Sequence, residues 1–142
     1  MRLHHYAFVG RDLASLQRRF RAESAEELTP AVADPVQRVY VQFYRDRITN
    51  EVWEIVAPLD GVEGSPLASR IQRGGGLDHV CYELDAGDGT IDDVVDAERA
   101  GGAQVVCAPV YAAAFDRRVA FVLRRSGRVI EYVEARPPGA VV

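Results

Sequence analysis

The chain has 142 residues, 48% of them hydrophobic, and a formal net charge of −4, a size and makeup that fit one domain with a core of its own. All 17 basic residues are arginine and none is lysine, which excludes a Schiff-base or lysine-base mechanism, and the lack of a basic excess or stripe speaks against nucleic acid as a partner. No apolar run approaches the roughly 18 residues that span a bilayer, and MRLHHYAF lacks the apolar centre of a signal peptide, so no membrane partner and a cytoplasmic location are expected.

LHHYAFV (3–9) reads as a strand, and DLASLQRRFRA (12–22) as a helix with Leu13, Leu16 and Phe20 at helical spacing and Asp12 at its cap. Residues 23–35 are acidic and interrupted by proline, a loop or short extended passage. VQRVYVQFYRD (36–46) is strand-like, DRITN turns, and EVWEIVAP is a strand stopped by Pro58. A linker follows, with a short helical segment and the glycine run Gly74–Gly76 to turn the chain back. LDHVCYELD (77–85) is then a strand, and 87–103 a turn and a helix ended by Gly101 and Gly102. QVVCAPV (104–110), RRVAFVLRRSG (117–127) and RVIEYVEA (128–135) supply three further strands. Cys81 and Cys107 fall inside strand-like runs without CxxC spacing and are expected to be reduced, buried thiols.

The second half repeats the first. Sliding one over the other by 74 positions lays Leu3-His4-His5 on Leu77-Asp78-His79, and a slide of 77 lays VWEIV on VIEYV, with Glu54 over Glu131. The expected organisation is a single domain over 1–142, with a first module at about 1–60, a linker at about 61–76 and a second module at about 77–135. A carboxylate inside an apolar strand such as VWEIVAP needs a partner, because burying it alone costs several kcal/mol. Imidazole and carboxylate together suit divalent zinc, nickel, cobalt, manganese or iron. Four such groups can hold a six-coordinate ion and leave two positions for water or substrate. His5, Glu54, His79 and Glu131 are therefore the candidate metal ligands. His4 alternates with His5 and should point to the opposite face, while Glu51, Glu83 and Glu134 are expected at the surface or in salt bridges.

The motifs LHHYAFVGRDL, VWEIVAPLDG, GGGLDHVCYELD and RVAFVLRRSGRVIEYVE resemble the vicinal oxygen chelate superfamily over nearly the whole chain, most of all its methylmalonyl-CoA epimerase and glyoxalase I branch. The resemblance implies an α+β fold of two βαβββ modules forming a cupped mixed sheet with a metal cleft. It also implies a metal-dependent isomerase, epimerase or lyase that forms an enolate next to a carbonyl, of an acyl-thioester or 2-oxo substrate. Glu131 is the base this branch implies, with Glu54 as its symmetric competitor. Gln42 and Tyr40 are expected to donate hydrogen bonds in the cleft, and Arg117 or Arg118 to meet an anionic tail such as a carboxylate, coenzyme A or a carrier-protein thioester. The branch is similar to a two-base machine, yet the place of its second glutamate reads Val41 and Gln42 here. A homodimer is a further expectation. The alternative function is a non-catalytic small-molecule binding protein of the bleomycin-resistance type.

Overall fold

The computed structural model, which describes residues 1–142, contains nine strands and three helices. By their contacts, residues 5–78 form one compact unit and residues 1–4 with 79–140 the other.

In the first module, strand β1 (Arg2–Val9) leads into helix α1 (Leu13–Ala22). The helix starts where it does because Asp12 stays extended and its carboxylate accepts from the Ser15 amide at 2.8 Å, which satisfies one of the open first-turn N–H groups. Two short strands follow, β2 (Ala25–Glu27) and β3 (Val32–Asp34), then β4 (Val39–Asp46) and β5 (Val52–Pro58). The sheet order is β2-β4-β5-β1, with β3 also pairing β4. β1 runs parallel to β5 and the remaining pairs are antiparallel. Since β2 and β3 both lie along β4, they act as one interrupted strand, and the module is βαβββ. Leu16 and Phe20, one helical turn apart, bury themselves against Tyr44, Ile55 and Ala57, with Phe8 and Trp53 packed at the edge.

The strand expected over 36–46 is shorter, because its first residues are a turn. The Asp34 carboxylate accepts from the amides of Val36 and Gln37, both at 2.9 Å, and Arg38 takes the left-handed backbone at φ 59°. In the linker, α2 (Ala68–Gln72) precedes three glycines that all have positive φ, at 109°, 65° and 94°. At Gly75 a Cβ would lie 2.6 Å from the Val9 carbonyl oxygen, so this turn admits only glycine.

The second module is β6 (Gly76–Glu83), α3 (Ile91–Ala100), β7 (Gln104–Ala112), β8 (Arg117–Leu123) and β9 (Val129–Val133). It has the order β6-β9-β8-β7, with β6 parallel to β9. Thr90 and Asp93 exchange hydrogen bonds in a capping box at the start of α3. One face of this sheet packs Leu84, Ala120, Val122, Ile130 and Tyr132 against Ile91 and Val95 of α3. The Tyr132 hydroxyl is bound to Glu98 and accepts from Arg124 at 3.1 Å. Burial and then the Glu98 carboxylate push this phenol up to about 12.

Candidate metal-binding residues

Strand register decides which side chains share a face, because side chains alternate and Cα partners on neighbouring strands point the same way. In the first module Glu54 is the partner of both Ala7 on β1 and Phe43 on β4. The face away from α1 therefore carries His5, Ala7 and Val9, then Val39, Val41 and Phe43, then Glu54 and Val56. His5 Nε2 stands 3.4 Å from Glu54 Oε2, and the Phe43 ring meets the His5 imidazole edge-on at 5.3 Å. His5 and Glu54 are both buried, at 1% and 4% exposure.

The second module builds the same arrangement. Glu131 is the partner of Cys81 on β6 and of Phe121 on β8. His79 Nε2 stands 3.3 Å from Glu131 Oε2, and Phe121 meets the His79 ring edge-on at 5.1 Å. Both members of this pair are also buried. Each module thus presents one imidazole, one carboxylate and one aromatic ring that fixes the imidazole plane. The phenylalanines were not singled out in the sequence, though RVYVQFYRD and RRVAFVLRR each offer one at the needed phase.

The donor set fits a divalent ion. Two ligands bound to one ion at about 2.1 Å with tetrahedral or octahedral angles sit about 3.0 to 3.4 Å apart, the separation found in both pairs. Each of the four residues can offer one ligand atom from a buried position.

Gln42 and Tyr40 do not join the His5 face. Gln42 is the partner of Ile55, so it turns toward α1, where its carbonyl accepts from Gln17 at 2.8 Å and its amide donates to the Thr29 carbonyl at 2.9 Å. Tyr40 shares that phase of β4. On the His5 face the nearby β4 position is Val41, so Glu54 is the acid that this face presents.

Arg118 donates to Glu134 at 2.8 Å and to Asp92 at 3.0 Å, which commits it to a surface network. Arg117 lies on the same face as Glu131, two residues beyond Val119, the partner of Val133. It is buried, its Nη1 donates to the Glu134 carbonyl at 2.6 Å, and its Nη1 stands 3.6 Å from Glu83 Oε2. Nη2 of Arg117 is buried with no hydrogen-bond acceptor, a deficit of about 1 to 3 kcal/mol. Burial holds the Arg117 guanidinium below its ordinary range.

Glu83 is salt-bridged, as expected, but at 2% exposure it is buried. Arg2 reaches it at 2.6 Å and Arg136 at 3.0 Å, and His4 stands 3.5 Å away. Burial pushes the Glu83 carboxyl up, and the bonds from Arg2 and Arg136 outweigh that and hold it below the usual carboxylate range. His4 also meets Phe115 edge-on at 5.5 Å, so the two adjacent histidines serve different groups.

Neither cysteine is in a disulfide. Cys81 is buried as expected, whereas Cys107 is only half-buried, because β7 is the last strand of its sheet. Burial and then the Glu131 charge push the Cys107 thiol up, so it is protonated and a poor metal ligand.

The sequence profile of the glyoxalase/bleomycin resistance protein/dioxygenase superfamily matches residues 4–121. The chain belongs to this superfamily and carries the vicinal oxygen chelate fold. No curated protein matches it by sequence. Among solved structures, a hypothetical protein from Bacillus halodurans C-125 is 24% identical, with 98% of this chain and 97% of that one covered and a TM-score of 0.78. Methylmalonyl-CoA epimerase from Mycobacterium tuberculosis is 20% identical, with 95% and 88% covered and a TM-score of 0.76. A variant of the Streptomyces coelicolor epimerase in complex with 2-nitronate-propionyl-CoA is 18% identical, with 96% and 99% covered and a TM-score of 0.76. These likenesses extend over the vicinal oxygen chelate fold. No helix of the chain is long and apolar enough to cross a membrane.

Proposed function

We propose that His5, Glu54, His79 and Glu131 together hold one divalent metal ion and that the chain is an isomerase, epimerase or lyase acting at a carbon next to a carbonyl. The observation that carries this reading is the recurrence, in each module, of a buried histidine and glutamate 3.4 and 3.3 Å apart at equivalent strand positions. Buried carboxylates at such sites need positive charge, and an ion shared by both pairs supplies it. The bound ion contributes Lewis acidity, which makes the proton beside a chelated carbonyl easier to remove.

The side chains do the rest. His5 and His79, each set edge-on against a phenylalanine, hold their imidazoles in one orientation. Glu131 is the proton acceptor, through a carboxylate oxygen, and returns that proton to the product. Glu54 is the second carboxylate, available for the opposite face of the carbon when the reaction is an epimerisation. The apolar wall of Val39, Val41 and Val56 beside Glu54 offers no further acid, so Glu54 is the first module's one candidate for a second base. The substrate is an acyl-thioester or a 2-oxo acid. The epimerase structures with a bound coenzyme A thioester support the first.

The test combines metal analysis with hydrogen exchange. The protein is purified, its metal content measured, and candidate acyl-coenzyme A thioesters and 2-oxo acids are incubated with it in deuterated water. Bound metal with exchange at the alpha carbon is the expected result. Tight binding of a small molecule with neither metal nor exchange assigns the chain to the binding class instead.

A further inference from the structure

The two modules match at their His, Glu and Phe positions but part company further along the same face. By register, Val9 and Val39 of the first module stand where Glu83 and Arg117 stand in the second. Val9 is the partner of Val56, and Val39 of Pro58, two residues past Val41. Glu83 is the partner of Val133, and Arg117 lies two residues past Val119. The first module fills this place with two buried valines. The second fills it with a buried charged pair 3.6 Å apart. A buried ion pair is commonly no more stabilising than apolar residues of similar volume, so packing alone does not account for the exchange.

Three guanidinium groups, from Arg2, Arg117 and Arg136, meet the one carboxylate of Glu83. Arg117 is more than nine-tenths buried, its other donors go to backbone carbonyls of Phe115 and Glu134, and its Nη2 has no acceptor. We propose that Arg117, oriented by Glu83, is the anchor for a carboxylate on the substrate, making this chain specific for compounds that carry a carboxylate as well as the reacting carbonyl.

This inference rests on the metal-dependent reading for its position relative to the chemistry. Glu83 is two residues beyond Cys81, the partner of Glu131, or about 7 Å along the strand. That span is a few carbon atoms, so the anchored group belongs to the acyl or oxo-acid part of the substrate. The phosphates of coenzyme A lie a whole pantetheine arm further away. Arg117 is thus a specificity residue and Glu83 a positioning residue.

The fold supplies its own control, since replacing Glu83→Val and Arg117→Val together copies the first module. Calorimetric titrations of malonate, succinate and glutarate, against propionate, butyrate and inorganic phosphate, are run on cobalt-loaded and metal-free protein. At least one diacid should bind ten-fold or more tightly than its mono-acid to the wild type, in both forms. The double variant should keep its metal content and lose this preference, and Arg117→Lys, which keeps the charge and one donor, should retain part of it. Equal binding of diacids and mono-acids by the wild type overturns the proposal, as does a preference that survives in the double variant. Phosphate binding as tightly as the best diacid overturns the carboxylate assignment. Should the double variant not fold, an Arg117→Lys protein with the full wild-type preference overturns the proposal. Failure of the metal reading is separate: it appears as absent cobalt, while the metal-free titration still reads Arg117.

Discussion

Replacing Glu131 by glutamine separates the roles assigned to it. The amide has nearly the same shape and keeps an oxygen for the ion, but it cannot accept a proton from carbon. A positioned general base contributes about 10²- to 10⁴-fold in rate, so exchange at the alpha carbon should fall by that factor while bound metal is retained at excess. Glu54→Gln should slow proton abstraction less than ten-fold. The stability of the metal-free protein should respond in the opposite sense. Glu131 is 2% exposed, and its desolvation costs several kcal/mol, which the neighbouring His79 imidazole offsets in part. The neutral amide should therefore leave the metal-free protein as stable as before, or more stable by about 1 kcal/mol. With an unfolding entropy of roughly 2.1 cal/mol/K per residue, that is about 3 °C in Tm for a chain of this length. Metal at a hundred times its Kd should raise the wild-type Tm by about 9 °C, from about 2.7 kcal/mol of linkage. Exchange rates, metal content and calorimetric Tm on the same samples decide the matter. Wild-type exchange in metal-loaded Glu131→Gln refutes the base assignment, and a metal-free variant that melts many degrees lower refutes the burial argument.

His5→Ala and His79→Ala, at equivalent places in the two modules, should each abolish the metal-dependent rise in Tm; loss in one and retention in the other would show that the pairs do not share an ion. Tyr132 has a folded value of about 12 against an ordinary 10.0, so its contribution is complete below pH 10 and is lost as the pH rises toward 12. Urea denaturation between these limits should show a fall of about 2 to 3 kcal/mol, and Tyr132→Phe should remove that slope. Asp12→Ala should cost about 1 kcal/mol through the lost cap on α1, measured by the same denaturation. Gly75→Ala should cost about 1 to 3 kcal/mol, because the new Cβ has a backbone oxygen rather than a mobile side chain in its way.

Much of the fold was legible because its signals are local. Leu16 and Phe20 at helical spacing, the Asp12 cap and the glycine run each report on their own neighbourhood. The burial of Glu54 and Glu131 was legible because VWEIV and VIEYV are too apolar to be surface strands. What the sequence could not convey is phase. In VYVQFYRD nearly every position is apolar or aromatic, so neither face is marked, and Gln42 could be assigned to the imidazole side as readily as Phe43. The pairing of Ile55 with Gln42 and of Glu54 with Phe43 resolves this, and it depends on strands that meet only in the folded chain. The burial of Glu83 escaped for a related reason. A glutamate near a strand end reads as solvent-exposed, and its partners Arg2, Arg117 and Arg136 lie up to 81 positions away.

Duplication also explains why the ligand pairs alone cannot assign the proton-transfer group. Each module supplies a histidine, a glutamate and a phenylalanine in the same register, so Glu54 and Glu131 are equivalent until something beside them differs. The modules differ at Ala7 against Cys81, the partners of the two glutamates, and at Val9 and Val39 against Glu83 and Arg117. A substrate with a carboxylate held by Arg117 would lie along the face of the second module, which carries Glu131. A substrate without that group has no such bias, and the two glutamates then compete on equal terms. On the proposed assignment, the choice of base and the choice of substrate are one question, tied to the place where the second module carries a buried ion pair and the first two valines.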